Sequence, residues 1–190
     1  MNMRSVDNIV IDIDLTTVQA LVEKARDLLI ALRNEYDLSA WEYTKNVRIA
    51  PYEFPHSHPI LTINAQLVDG PAKDVEAFLS TYIHEQIHWA LDDHRLSETK
   101  EAMQVFKETY PNFHKDFPTT AKDECSSYLH LIVNWLELKA MTELVGAERA
   151  RNLMGRFHHY TKIYETVLCD FDEIQTVLEE TSILPLPRPQ

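Results

Sequence analysis

Two histidines stand four residues apart with a glutamate directly after the first, His84-Glu85-Gln86-Ile87-His88, inside an apolar run from Val75 to Leu91. On a helix that spacing projects both imidazoles from one face, one turn apart, which is the separation a single zinc ion asks of two nitrogen ligands. Glu85 then falls beside the ion rather than on it, where a carboxylate can take a proton from water. A hydrolytic zinc site uses three protein ligands and keeps one position for water, so a third ligand must come from elsewhere in the chain; a fourth protein ligand would instead mark the alternative, a non-catalytic zinc-binding helical protein acting as a regulatory or interaction module. His130 is the first candidate, because it sits in the middle of a polar stripe on another helical stretch, and Glu137 on the same stripe is an alternative.

The elements that would position these groups are legible from periodicity. Val75, Phe78, Leu79, Tyr82 and Gln86 recur at helical spacing on one side of the first stretch, and Ala77, Thr81, His84, His88 and Leu91 on the other. Asp69-Gly70-Pro71 reads as a turn into this helix, with Pro71 in its first turn, and Asp92-Asp93-His94 as its end. The stretch from Thr120 to Leu144 is the longest helical signal. Leu129, Leu131, Ile132, Val133, Trp135, Leu136 and Leu138 surround most of its circumference, which predicts deep burial. The narrow stripe of Asp123, Ser126, Ser127, His130, Asn134 and Glu137 needs partners in such surroundings, and a metal with the groups that orient its ligands would provide them.

The run Thr81-Tyr82-Ile83-His84-Glu85-Gln86-Ile87-His88-Trp89-Ala90 resembles the extended pattern of the zincin (HExxH) metallopeptidases, with Thr three residues before the first histidine and no charge other than Glu85. The resemblance covers this helix and, more loosely, the strand before it. It implies one zinc ion, a peptide or protein substrate, and a zincin-like domain of α+β class, predominantly helical, with a small sheet ahead of the active helix and a helical C-terminal half. It also implies that the strand before the helix, at Thr62 to Gln66, is the edge along which extended substrate would pair. Glu124, in an Asp-Glu-x-x-Ser context, resembles the downstream glutamate helix of the gluzincin branch at a longer spacing and is a further alternative for the third ligand. His159 and Tyr160, in His158-His159-Tyr160, are candidates for a donor to an oxyanion, a role that such side chains have in many zincins.

The rest of the chain sets bounds. At 190 residues it predicts a single domain, with residues 1–15 as a lead-in and 184–190 as an extended proline tail. A net charge of −12 argues against nucleic acid or an anionic membrane surface as partner. Three glycines cannot build a glycine-rich phosphate loop, and the two cysteines, Cys125 and Cys169, form no Cys-x-x-Cys pair. With no basic start followed by an apolar segment, and no apolar run of membrane-spanning length, the expected compartment is the cytoplasm.

Helices are expected at Thr16 to Asn34, capped by Thr16 or Thr17, at Ser97 to Tyr110, at Ala147 to Tyr160 and at Thr161 to Glu180. Strands are expected at Trp41 to Ala50 and Ile60 to Leu67, and a loop at Pro111 to Pro118. Between the strands, His56-Ser57-His58 reads as a solvated loop or one that closes over a cleft, with a second metal site as the lesser reading. Tyr160, Tyr164, Val167, Phe171, Ile174 and Leu178 form a seam for another helix, which leaves open either a partner within the chain or a homodimer through the C-terminal helix.

Overall fold

The computed structural model describes residues 15–69 and 74–189, and helices dominate it. The first, α1 (Leu15–Glu35), buries Ala25, Leu29 and Leu32. It begins before the two threonines expected to cap it, so Thr16 and Thr17 lie in its first turn.

Two strands follow, β1 (Val47–Ala50) and β2 (Leu61–Asn64), paired in parallel with Val47 opposite Leu61 and Ala50 opposite Asn64. Both are shorter than their sequence signals, for identifiable reasons. The backbone N–H groups of Tyr43 and Thr44 both donate to Oε1 of Gln86 at 2.8 Å, and the Thr44 carbonyl accepts from its Nε2 at 2.8 Å. Those groups are therefore not available to a strand ladder, and the chain from Trp41 to Asn46 remains irregular. At the other end, the Asn64 side chain accepts from the Gln66 N–H at 2.8 Å and turns the chain into a 3-10 helix, Ala65–Val68, ending β2. The outer edge of β2 is also partly taken. His56 and Thr62 exchange both backbone hydrogen bonds, at 3.1 and 2.8 Å, so the stretch from Thr62 to Gln66 is not the continuous free edge expected from the resemblance.

Helix α2 (Val75–His94) is capped by Asp74, whose Oδ1 accepts from the Ala77 N–H at 3.0 Å. Gly70 and Pro71, expected to lead into it, lie outside the described residues. After α3 (Leu96–Thr109), the predicted loop contains a single 3-10 turn, Phe113–Asp116. Helix α4 (Glu124–Val145) begins four residues later than expected, because the Asp123 side chain accepts the Ser126 N–H at 2.8 Å and caps it there. It packs against α2, α3 and all three helices that follow, and Leu131 to Leu138 are buried without a break.

The C-terminal half is more divided than the periodicity suggested. Helix α5 (Ala147–Met154) stops well short of Tyr160, and the segment expected as one helix from Thr161 to Glu180 is broken at Asp170 into α6 (Thr161–Cys169) and α7 (Phe171–Glu180). The apolar seam finds its partner inside the chain: Tyr164, Val167, Ile174 and Leu178 are buried, and α6 and α7 both lie on α4. Trp135 of α4 stacks on Phe171 with ring centroids 4.8 Å apart and donates from Nε1 to the Phe171 carbonyl at 2.8 Å. The proline tail is docked as well. Ile183 is buried, the Arg95 guanidinium donates to the Pro185 carbonyl, and the Tyr43 hydroxyl donates to the Pro187 carbonyl. Among the described residues no helix is long and apolar enough to cross a membrane.

Candidate metal centre

Ser80 of α2 meets Glu137 of α4 while His88 of α2 meets His130, so the two helices run antiparallel and bring their polar faces together. At that contact the imidazoles of His84, His88 and His130 form a near-equilateral triangle, with ring centroids 5.1, 5.3 and 5.4 Å apart. One nitrogen from each lies within 4.8 Å of the other two. Zinc–nitrogen bonds of about 2.0–2.1 Å in a tetrahedral site place ligand nitrogens about 3.4 Å apart, so small side-chain rotations would close the set on one ion. The chemistry of the donors fits a metal, and zinc suits an imidazole set of this kind.

Hydrogen bonds orient two of the three rings. Nδ1 of His84 donates to Oε2 of Glu137 at 2.9 Å, and Nδ1 of His130 donates to the Ser126 carbonyl at 2.6 Å. With the proton held on Nδ1, the lone pair of each ring is on Nε2, the form a metal ligand needs. Burial, reinforced by the neighbouring imidazoles, pushes His88 well below the ordinary histidine range and His130 down to about 3. For His84, burial works in the same direction but is outweighed by Glu137 and Glu85, and its affinity for a proton rises.

Glu137 is 1% exposed and accepts from three donors. Besides His84 it accepts from the Ser80 hydroxyl and, at 3.0 Å, from the Tyr164 hydroxyl. It is thus brought to the centre as the group that orients His84, rather than as a free ligand. Glu124 is not brought there. It lies half-exposed in the first turn of α4, 2.7 Å from Nζ of Lys107, whose hydrogen bond holds its carboxyl below the usual range. The remainder of the polar stripe is accounted for except at one position. Asp123 caps α4, Ser126 holds His130 and the Ser127 hydroxyl donates to the Asp123 carbonyl. The Asn134 side chain is fully buried, and among the described residues neither its Oδ1 nor its Nδ2 has a hydrogen-bond partner.

The three histidines open onto a cleft of about 420 Å³ that Glu85 also lines. Glu85 is 6% exposed, and burial raises its pKa against the opposing pull of His84 and His56. A carboxylate raised in this way is a stronger base than an exposed one. His159 and Tyr160 line the same cleft, and the Tyr160 ring centroid is 4.5 Å from that of His130. Tyr160 occupies the left-handed region, with φ 54° and ψ 29°, a strained conformation for a bulky side chain and one held here at the edge of the site.

The pair His56 and His58 separates. His56 lines the cleft, its Nδ1 donating to the Phe54 carbonyl at 2.9 Å. His58 stacks on Trp89 at 4.2 Å and faces Asp92 at 3.5 Å, while Trp89 Nε1 donates to the Ser57 carbonyl at 2.8 Å. This loop is therefore pinned to α2 beside the cleft rather than forming a second metal site. Sequence reasoning missed Ser80, Phe157 and Tyr164. Ser80 carries a signal, standing one helical turn before His84, whereas Tyr164 falls in an apolar seam and Phe157 has no distinguishing pattern. No protein-family model, no curated protein and no solved structure matches the chain.

Proposed function

We propose that this chain is a zinc-dependent hydrolase of peptide bonds, with a zincin-like arrangement of its active helix. The observation that carries this reading is the convergence of His84 and His88 from α2 with His130 from α4 on one point, beside a cleft into which Glu85 also projects. His84, His88 and His130 would hold the ion. When bound, zinc supplies the Lewis acidity that lowers the pKa of water towards neutrality and polarises a carbonyl. The Glu85 carboxylate takes the proton of the attacking water and returns it to the departing amide nitrogen. His159 and Tyr160 stand where a side-chain donor could stabilise charge building on the carbonyl oxygen.

A purely structural zinc site would use a fourth protein ligand. Among the described residues the metal-competent group consists of three histidines, and Glu137, the nearest carboxylate candidate, is engaged by Ser80, His84 and Tyr164. This favours a centre with a position left for water. The two exposed free cysteines accord with a reducing compartment, and we propose the cytoplasm.

The test is metal content by elemental mass spectrometry on protein purified without added metal, compared with His84→Ala and His130→Ala, followed by peptide cleavage assays. One equivalent of zinc, lost in both variants, with cleavage by the wild type is the expected result. Protein that takes up no metal even after zinc supplementation would overturn the reading.

A further inference from the structure

With β1 paired along one side of β2, the opposite edge is where another extended segment can add. The chain fills that place with its own backbone. The Thr62 N–H donates to the His56 carbonyl at 2.8 Å and the His56 N–H donates to the Thr62 carbonyl at 3.1 Å, in antiparallel sense. Thr62 is held for such a partner by groups other than His56: its hydroxyl donates to the Ile60 carbonyl at 2.9 Å and accepts from Nε of Arg48 at 3.2 Å.

The same segment lies over the site. Phe54, Pro55, His56 and Ser57 line the cleft together with Glu85, so an extended chain following β2 towards Glu85 would meet His56 in its place. Nor can a further strand add outside it. Pro55 has no N–H to give, the Phe54 carbonyl is taken by the His56 ring, and the Ser57 carbonyl is taken by Nε1 of Trp89 at 2.8 Å.

This cover is lightly held. Tyr52, Glu53 and Phe54 are exposed, and Pro55, His56 and Ser57 are only half-buried. Its leading end is tied by the Glu53–Arg48 ion pair, and its trailing end is latched to α2, where Trp89 bonds Ser57 and stacks on His58 with ring centroids 4.2 Å apart. With few apolar contacts to lose, such a segment opens locally without global unfolding. A polypeptide arriving on the same edge would restore both hydrogen bonds to Thr62, so the replacement is an exchange of like for like.

We propose that residues 54–58 are an autoinhibitory strap, latched by Trp89, which occupies the β2 edge and must swing away before an extended polypeptide reaches Glu85. This rests on the hydrolase reading of the centre and adds a closed resting state to it.

The experiment uses the full chain, zinc-supplemented, in a Glu85→Gln background so that nothing is cut during the measurement. Trp89→Phe keeps a ring against His58 and removes the donor to Ser57. His58→Ala removes the stack from the strap itself, at a side chain 38% exposed. Two quantities are read for each: hydrogen exchange of the Thr62 amide by NMR, and the affinity for fluorescein-labelled dephosphorylated casein, an unfolded polypeptide, by anisotropy. Loss of one such contact shifts the open fraction by about tenfold. Apparent affinity scales with the competent fraction, so Thr62 exchange and casein affinity should rise by the same factor, about tenfold, with zinc content and exchange in α4 unchanged. Casein binding that is absent, unchanged or weaker in both variants overturns the proposal, as does Thr62 exchange that stays at the parent rate in both. Should Trp89→Phe lose zinc through its neighbour His88, His58→Ala carries the test alone. Failure of the hydrolase reading is distinguishable. Zinc-loaded protein with Glu85 restored that leaves casein uncut, while exchange and binding rise together, would sink the hydrolase and keep the strap as the cover of a binding edge.

Discussion

Replacing Glu137 by glutamine tests the centre without emptying its volume. In the wild type three donors converge on this carboxylate: the Ser80 hydroxyl, Nδ1 of His84 and the Tyr164 hydroxyl. An amide has one acceptor oxygen and an N–H2 group that must itself find acceptors. The hydroxyls can turn to suit it, but a His84 ring facing the amide nitrogen must move its proton to Nε2, which destroys the lone pair offered to the metal. Loss of such an orienting partner typically weakens metal binding by about 10–100-fold, or about 1.4–2.7 kcal/mol. The sign is not confounded by proton competition. Glu137 raises the proton affinity of His84, so its removal would by itself make the ring easier to metallate in acid. The assay is a competition titration of zinc against a chromogenic chelator at fixed pH, with circular dichroism to establish that the variant is folded. Ser80→Ala and Tyr164→Phe, which leave the Glu137–His84 bond in place, should each lose less than about tenfold. A folded Glu137→Gln protein with wild-type zinc affinity would refute the assignment of Glu137 as the orienting group.

Four further outcomes are expected. Glu85→Gln should retain zinc and lose peptide cleavage by at least about 10²–10⁴-fold, and surviving turnover would remove Glu85 as the base. Glu124→Gln should keep both its zinc content and its melting temperature, since the carboxylate is half-exposed beside Lys107; loss of metal would reinstate it as a ligand. Asn134→Leu should raise stability by about 1–3 kcal/mol in denaturant titration, because it removes a buried amide whose polar atoms have no partner among the described residues; destabilisation would mean that the amide has a partner. Gln86→Leu deletes hydrogen bonds to Tyr43, Thr44 and the Tyr82 hydroxyl and should cost about 2–4 kcal/mol while leaving zinc affinity intact; equal loss of metal binding would show that the back face of α2 also positions the ligands.

The local part of the site was readable because it is written in helical spacing. His84, Glu85 and His88 share a few turns of one helix, and the polar stripe on α4 singled out His130 because a buried helix cannot leave such groups unpaired. Long-range hydrogen bonds had no equivalent signature. The irregular course from Trp41 to Asn46 depends on Gln86, far along the chain, capturing backbone groups that β propensity would otherwise assign to a strand. The break at Asp170 interrupts an unbroken apolar periodicity, and the docking of the proline tail depends on Tyr43 and Arg95, distant residues whose types say nothing about a partner. Tyr164 shows the same limit from the other side: its ring satisfies the seam that periodicity detects, while its hydroxyl serves Glu137, which periodicity does not detect.

The antiparallel meeting of α2 with α4 also has a consequence for chain entropy. Everything from α3 to the cap of α4 lies between His88 and His130. An ion gripped by both helices would close that stretch into a loop, as a disulfide does, and would restrict the unfolded chain most where the polypeptide has furthest to return. The cross-link is reversible, and its strength follows free zinc concentration, reaching about 2.7 kcal/mol when zinc stands a hundredfold above its dissociation constant. Amide hydrogen exchange in the helix enclosed by the loop, α3, would then slow as zinc rises, although no residue of that helix touches the centre.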